Sequence, residues 1–352
     1  MHALPTLRSL IAAPDPGPGL EAQQALDQLT KPPGSLGRLE ELARQLAQMS
    51  GRFPPTIRRP VIFTLAADHG VVAEGVSAFP QVVTLQMVEN FLRGGAAVNV
   101  LARHVGVTVI VADFGVAGSL PAHPALVSRP IGPGTRNMSR GPAMSREDAL
   151  HAIEAGAGLV FAERERGIDL IGTGDMGIGN TTAASAVVAA LTGLPVEAVT
   201  GPGTGVDAEG RARKVAAITR ALEVNRPDPA DGLDVLAKVG GFEIAGLCGI
   251  ILAGAAWRIP VILDGFIAGA AALAAVRLEP EARHYLLASH RSTEPGAAGV
   301  LDALGLKPYL DLEMRLGEGT GAALCMDLAR AAVKILGEMA TFKSAGVSGR
   351  SP

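Results

Sequence analysis

The segment GTGDMGIGNTT, residues 172–182, decides how the chain reads. It follows the apolar run Ile168-Asp169-Leu170-Ile171 and precedes an alanine-rich stretch that reaches Leu191. That order predicts a strand, a glycine loop and a helix. Gly172, Gly174 and Gly177 have the spacing G-x-G-x-x-G. Glycines permit positive φ and close approach of the backbone to a bound group. A helix that starts just after them offers free N–H groups and the positive end of its dipole, which together hold phosphate. Thr181 and Thr182 can cap that helix or give hydroxyls to the same oxygens. The same letters also fit a plain tight turn or a dinucleotide site.

The next segments discriminate between these readings. A dinucleotide site asks for an acid about 20 residues on, at a second strand tip. Here that acid is Glu197, in LPVEAV beside Pro195, where a turn into a helix is expected. A second glycine cluster follows, TGPGTG at residues 200–205, and after it Arg211, Arg213 and Lys214. Two glycine clusters and a nearby cation suit one phosphate better than a dinucleotide.

Further out, PVIFTLA (60–66), VTVIVA (107–112), IPVIL (259–263) and residues 285–288 read as buried strands. With the strand before the glycine loop that makes five, alternating with helices. The fold class is α/β: a doubly wound, mostly parallel, Rossmann-like sheet. Polar residues stand at the strand tips: Asp68-His69, Asp113, Asp264-Gly265 and Ser289-His290. Such tips are where α/β sheets place ligands. Asp68 and His69 lack a third ligand at suitable spacing, so no metal site is expected. Residues 84–104 form a helical pattern interrupted at Gly94-Gly95, where the helix breaks or another backbone comes close. Gln86 and Asn90 share its face and suit a neutral heterocycle. Arg136 and Arg140, in a Pro- and Gly-rich stretch, are candidate anion contacts. Ser145 and Asp148 form a capping box.

Before the first strand, residues 20–30 and KPPGSLGRLEELARQLAQM (31–49) read as two helices joined by a turn, with Leu20, Leu26, Leu29, Leu36, Leu39, Leu42 and Leu46 as face residues. Their charged residues are expected to be solvated. Near the other end, RLGEGTGAA (315–323) sets Glu318 between two glycines at a helix start. There it is either an acid favoured by the helix dipole or a general base beside a small substrate.

Composition narrows the function classes. The 352 residues suffice for one large α/β domain, or one large and one small. Hydrophobic residues make up 48% and aromatics only 3%, so the core is aliphatic and alanine-rich. Net charge is −3 with acids and bases mixed, so no basic face points to nucleic acid. Cys248 and Cys325 stand in separate apolar segments and read as reduced core thiols of a cytosolic protein. The N-terminal sequence lacks a signal-peptide pattern. The most apolar region, residues 244–276, is interrupted by Arg258, Pro260 and Asp264, so no membrane span is indicated.

Six motifs then stand in order over nearly the whole chain: KPPGSLGRLE, ADHGV with SAFPQ, GDMGIGNTT, KVGGFEIAG, PVILDGF and RLGEGTGAA. Together they resemble the nicotinate-nucleotide–dimethylbenzimidazole phosphoribosyltransferase family of cobalamin lower-ligand assembly. The resemblance implies transfer of ribose 5-phosphate from nicotinate mononucleotide to 5,6-dimethylbenzimidazole, without cofactor or metal. It implies a large domain over residues 60–310, holding the parallel sheet and substrate site. A small helical domain, residues 1–59 plus 311–352, would contribute the catalytic glutamate. It also implies a cytoplasmic homodimer. The family's base falls on Glu318. The phosphate site falls on Gly174, Gly177, Gly203 and Lys214, and the benzimidazole pocket on Ser77, Phe79, Gln86, Met87 and Leu316. Asp175, carried over as a substrate-binding residue, stands where the family often has glutamate; the carboxylate is kept, but its reach toward ribose or another substrate group is one methylene shorter.

Overall fold

The computed structural model describes residues 3–348. Its strands are β1 (Pro60–Ala67), β2 (Thr108–Gly115), β3 (Leu126–Ser128), β4 (Leu170–Met176), β5 (Val261–Leu263) and β6 (Leu286–Ala288). They form one parallel sheet in the order β3-β2-β1-β4-β5-β6. The chain winds outward from β1 in one direction, then returns to β4 and winds outward in the other. The switch point therefore lies between β1 and β4, the place where doubly wound sheets open a crevice for ligands.

The α/β class and parallel sheet agree with the expectation, but there are six strands among the described residues, not five. β3 is three residues long and partly exposed, within the Pro- and Gly-rich stretch. It has no apolar run to announce it.

The two faces of the sheet are covered by different helices. In β1 and β4, Ile62, Thr64, Gly172 and Gly174 point to one face. Helix Thr320–Glu338 lies there; a Cβ on Gly172 would come 2.8 Å from Met326 Cε. Leu65 and Ile171 point to the other face, against Gly246 and Gly254 of helix Phe242–Ala256. That helix is buried all round, because helix Arg146–Arg164 covers its outer side. Ser145 and Asp148 make the expected capping box at the start of the covering helix.

The GxGxxG reading needs a correction. Gly172 and Gly174 are strand residues, not loop residues. Their missing side chains let helix Thr320–Glu338 and the loop before it sit directly on the sheet. The turn is confined to Gly177–Gly179, and helix Asn180–Thr192 follows at once. The expected helix 84–104 is two helices, Val82–Leu92 and Ala97–Val105, broken where Gly94 takes φ +75°.

At the N-terminal side, helix Arg38–Ser50 buries Leu42, Ala43, Leu46 and Ala47 and packs on helix Thr320–Glu338. Helix Gly17–Gln28 packs on both, through Ala22 and Leu26; Leu20 is 62% exposed and does not share that face. Lys31 and Glu40 are not solvated as expected. They form a buried ion pair at 2.7 Å, and Glu40 also accepts from the N–H groups of Leu36 and Gly34. Helix Leu4–Leu10 packs elsewhere, on helices Phe242–Ala256 and Arg146–Arg164. Both cysteines are buried free thiols. No described helix is long and apolar enough to cross a membrane.

Candidate active site

A cavity of about 640 Å³ opens at the C-terminal ends of β4, β5 and β6. Its walls come from six segments: Phe79 to Met87, Asp175 to Thr181, Gly203-Thr204, Asp264 to Ile267, His290 to Glu294, and Arg315 to Glu318. Three strand tips, the turn after β4 and the loop before helix Thr320–Glu338 therefore meet around one space.

One end of the cavity suits an anion. Lys214 is buried, its Nζ donating to Thr181 Oγ1 at 2.9 Å. Gly203, at φ +54°, rests on both: a Cβ there would lie 2.7 Å from Lys214 Nζ and 2.7 Å from Thr181 Oγ1. Arg315 donates to the Gly203 carbonyl at 2.9 Å. The N-terminus of helix Asn180–Thr192 adds its positive end. Burial lowers the Lys214 ammonium to about 8; nearby Glu294 opposes the shift and Arg211 adds to it. The Glu294 carboxyl is raised by burial, against Lys214 and Arg315.

The same cavity carries buried carboxyls. Glu318 has φ +64°, a left-handed conformation that a non-glycine residue rarely adopts. It is 5% exposed and lines the cavity. Its carbonyl accepts from Thr64 Oγ1 at 2.8 Å, and a Cβ on Gly174 would come 2.3 Å from that same oxygen. Its Oε2 has one weak partner, the Val98 N–H at 3.5 Å. Burial raises the Glu318 carboxyl, and the Val98 N–H opposes this.

Asp264 anchors the loop. Its Oδ2 accepts from Gly319 N at 2.8 Å, and its Oδ1 from Gly321 N at 2.7 Å and Ala322 N at 3.1 Å. It thus caps helix Thr320–Glu338 across the fold, satisfying N–H groups the helix leaves unpaired. Burial pushes its carboxyl up to about 7; the three N–H groups oppose the rise and Glu318 adds to it. Asp264→Ala would leave these donors buried without an acceptor. Urea denaturation is expected to show a loss of about 3 kcal/mol. A change below about 1 kcal/mol would mean the loop is held by other contacts.

Asp175 Oδ2 accepts from Asn180 Nδ2 at 2.9 Å, while its Oδ1 is buried without a partner among the described residues. Burial holds Asp175 well above the ordinary carboxylate range, with Asp264 and Glu243 adding to the rise and Asn180 opposing it. Beneath the turn after β4, His69 Nε2 donates to Glu243 Oε1 at 2.7 Å, both side chains buried. This pair supports Gly177 and Gly179, whose backbones pack on His69.

The predicted residues sort by position. Glu318, Asp175, Gly177, Gly203, Phe79, Met87 and Leu316 line the cavity together. Lys214 stands just behind its wall, through Thr181 and Gly203. Ser77 is also behind the wall, its Oγ 3.4 Å from Thr204 Oγ1. Gln86 is exposed and outside the lining, and Gly174 packs under Glu318 and faces no ligand space. Arg136 bonds the Pro142 carbonyl and Arg140 pairs with Glu74, away from the cavity. Arg211 and Arg213 tie down backbone carbonyls of Thr200, Glu197 and Gly75.

A family model described as phosphoribosyltransferase matches residues 11–347. The chain is 61% identical over 327 residues to the nicotinate-nucleotide–dimethylbenzimidazole phosphoribosyltransferase of Chloroflexus aggregans, covering 93% of each chain. It belongs to this phosphoribosyltransferase family. The relative of that name from Geobacter sulfurreducens is 56% identical, again over 93% of both chains. A crystal structure of the Thermus thermophilus protein superposes with TM-score 0.90 at 51% identity, covering 96% of this chain and 100% of that one.

The cavity brings a buried carboxyl, Glu318, into one lining with Thr181 and Gly203, behind which Lys214 stands. Asp264, His290, Glu294 and Arg315 were not assigned roles from sequence, although Asp264 and His290 were recognised as strand-tip residues. The strand-tip rule was the signal for those two. Glu294 is brought in by a loop that no local pattern marked, and Arg315 opens the RLGEGTGAA motif, where only Glu318 was given a role.

Proposed function

We propose that the chain transfers the phosphoribosyl group of nicotinate mononucleotide to 5,6-dimethylbenzimidazole, giving α-ribazole 5′-phosphate and nicotinate. The observation that carries the reading is the placement of Glu318. It is a buried carboxyl of raised basicity on the wall of a cavity that also carries Thr181 and Gly203, with Lys214 behind them.

The chemistry follows from that placement. The 5′-phosphate sits at Thr181, Gly203 and Lys214, which fixes the sugar. One ring nitrogen of the benzimidazole forms a bond to C1 of the ribose as the bond from C1 to the nicotinate nitrogen breaks. Nicotinate leaves with that electron pair, turning from a pyridinium into a neutral ring, so no acid is needed to expel it. The proton on the other benzimidazole nitrogen passes to Glu318. A positioned base contributes about 10²–10⁴-fold. Alignment of the two substrates can contribute about 7–11 kcal/mol more. Phe79, Met87 and Leu316 offer apolar surface to the flat base, Phe79 and Leu316 at the mouth.

We propose a small helical domain of residues 1–59 plus 311–352 that carries Glu318 and is docked closely on the large one, since helix Thr320–Glu338 lies on the sheet and helix Leu4–Leu10 packs on helices Phe242–Ala256 and Arg146–Arg164. A homodimer working in the cytoplasm is part of the same reading. The direct test mixes the protein with both substrates at neutral pH and follows nicotinate. Release that depends on the benzimidazole is expected; its absence would refute the reading.

The buried lysine makes a second expectation. Its charge is lost as pH rises through about 8. The KM for nicotinate mononucleotide should therefore climb on the alkaline side. Lys214→Ala should raise that KM about 10-fold or more at neutral pH, the size of a charged hydrogen bond, and flatten the alkaline rise. An unchanged KM would clear Lys214 of the phosphate role.

A further inference from the structure

We infer that His290 is a ribose-recognition residue whose Nε2 accepts a hydrogen bond from one of the sugar hydroxyls of the nucleotide substrate. The inference rests on the reading above, in which a ribosyl nucleotide occupies the cavity.

The argument starts from one proton. Ser289 Oγ lies 2.6 Å from the Leu263 carbonyl and 2.8 Å from His290 Nδ1. A carbonyl can only accept, so the single hydroxyl proton of Ser289 goes to Leu263. The Ser289 oxygen must then accept from His290, so Nδ1 carries a hydrogen. Asp264 Oδ1, 3.8 Å from Nδ1, favours the same arrangement. Burial holds the imidazole below its ordinary pKa, so the ring is neutral. In a neutral ring with hydrogen on Nδ1, Nε2 bears a lone pair and is an acceptor.

His290 is a wall residue of the substrate cavity, and on its other side it borders a small apolar pocket lined by Leu263, Gly269 and Val300, which offer Nε2 no donor. His290 is 3% exposed, and it lines the cavity beside Gly265, whose Cβ position lies 3.5 Å from Nε2. No described residue donates to Nε2. An acceptor kept in a buried wall in one tautomer asks for a donor from the ligand. The substrates carry few. Above neutral pH the phosphate has lost its second proton, at a pKa of about 6. The nicotinate carboxylate has none. The benzimidazole N–H is taken by Glu318. The 2′- and 3′-hydroxyls of the ribose remain.

Two variants separate this role from mere packing. In His290→Asn the amide nitrogen takes the place of Nδ1 and still reaches Ser289, but the Nε2 acceptor is gone. In His290→Gln an amide oxygen can reach the Nε2 position. The kcat/KM of each is measured with nicotinate mononucleotide and with its 2′-deoxy and 3′-deoxy analogues. Removing a hydroxyl alters intrinsic reactivity, so the readout is the ratio of wild type to variant on the same substrate. For His290→Asn that ratio is expected to be about 10 with the ribosyl substrate and near 1 with one of the deoxy analogues, as one lost hydrogen bond predicts. His290→Gln should stay within about 3-fold of wild type on every substrate. Ser289→Ala, which frees the tautomer, should show the same substrate pattern with a smaller ratio; it serves if His290→Asn does not fold. Equal ratios on all three substrates, or no loss with any, would overturn the assignment. Absence of transfer by the wild-type protein would instead remove the functional reading on which it rests.

Discussion

Glu318→Gln is expected to bind both substrates with near wild-type affinity and to lose turnover by about 10²-fold or more. The amide keeps the size of the side chain and its contact with the Val98 N–H, but it cannot take a proton. The loss should appear in kcat and leave KM little changed, because the proton moves only as the new bond forms. The pH profile provides a second signature. Burial raises the Glu318 carboxyl above its ordinary 4.5, so the base form is lost at a higher pH than for a free glutamate. In the wild type, kcat should fall toward acid with an apparent pKa above 4.5, and this limb should be missing from the residual activity of Glu318→Gln. Normal turnover in the variant would remove Glu318 from the mechanism.

Gly174→Ala should disable the enzyme without touching a substrate. A methyl at Gly174 would stand 2.3 Å from the Glu318 carbonyl oxygen. That oxygen cannot simply give way. Thr64 Oγ1 holds it at 2.8 Å, and the next residue, Gly319, is tied to Asp264 at 2.8 Å. The sheet side is equally fixed, because Gly174 pairs with Thr64 in the middle of β1 and β4. The loop must move off the sheet and carry the Glu318 carboxylate with it. A shift of about 1 Å at a catalytic group costs about 10²-fold in rate. Overpacking should also lower stability, by about 1–3 kcal/mol. Gly158→Ala is the matching control, since a Cβ there meets nothing within 4 Å. A folded Gly174→Ala protein with wild-type kcat would show that the loop position does not set the rate.

These two residues also show what was legible in the sequence. Glu318 was found because glycines on both sides and a helix pattern after it marked an unusual acid, and the ordered motifs then gave it a role. Gly174 was found for the wrong reason. Its spacing with Gly172 and Gly177 resembles a phosphate loop, yet Gly172 and Gly174 are flat strand residues that make room for another segment. Local spacing cannot tell a glycine that admits a ligand from one that admits a backbone 144 residues away in the chain, at Glu318. Alternation of apolar strands and helices revealed the parallel sheet. It missed β3, which is too short and too exposed to carry a hydrophobic signal. Lys214 was legible as a cation near a glycine cluster, whereas the exposed Gln86 shows that two amides on one helix face need not line the cavity. Asp264 drew notice as a strand tip, but its work is to bind three N–H groups of a segment more than 50 residues on, and only the tertiary fold brings them together.

The most direct test is a crystal structure of the protein with 5,6-dimethylbenzimidazole and a ribose 5-phosphate ligand bound together. The account predicts a Glu318 carboxylate oxygen about 2.6–3.2 Å from one ring nitrogen, the second nitrogen facing C1 of the sugar, and the phosphate beside Lys214 and Gly203. A ring held with neither nitrogen near Glu318, or a phosphate bound away from Lys214, would contradict it.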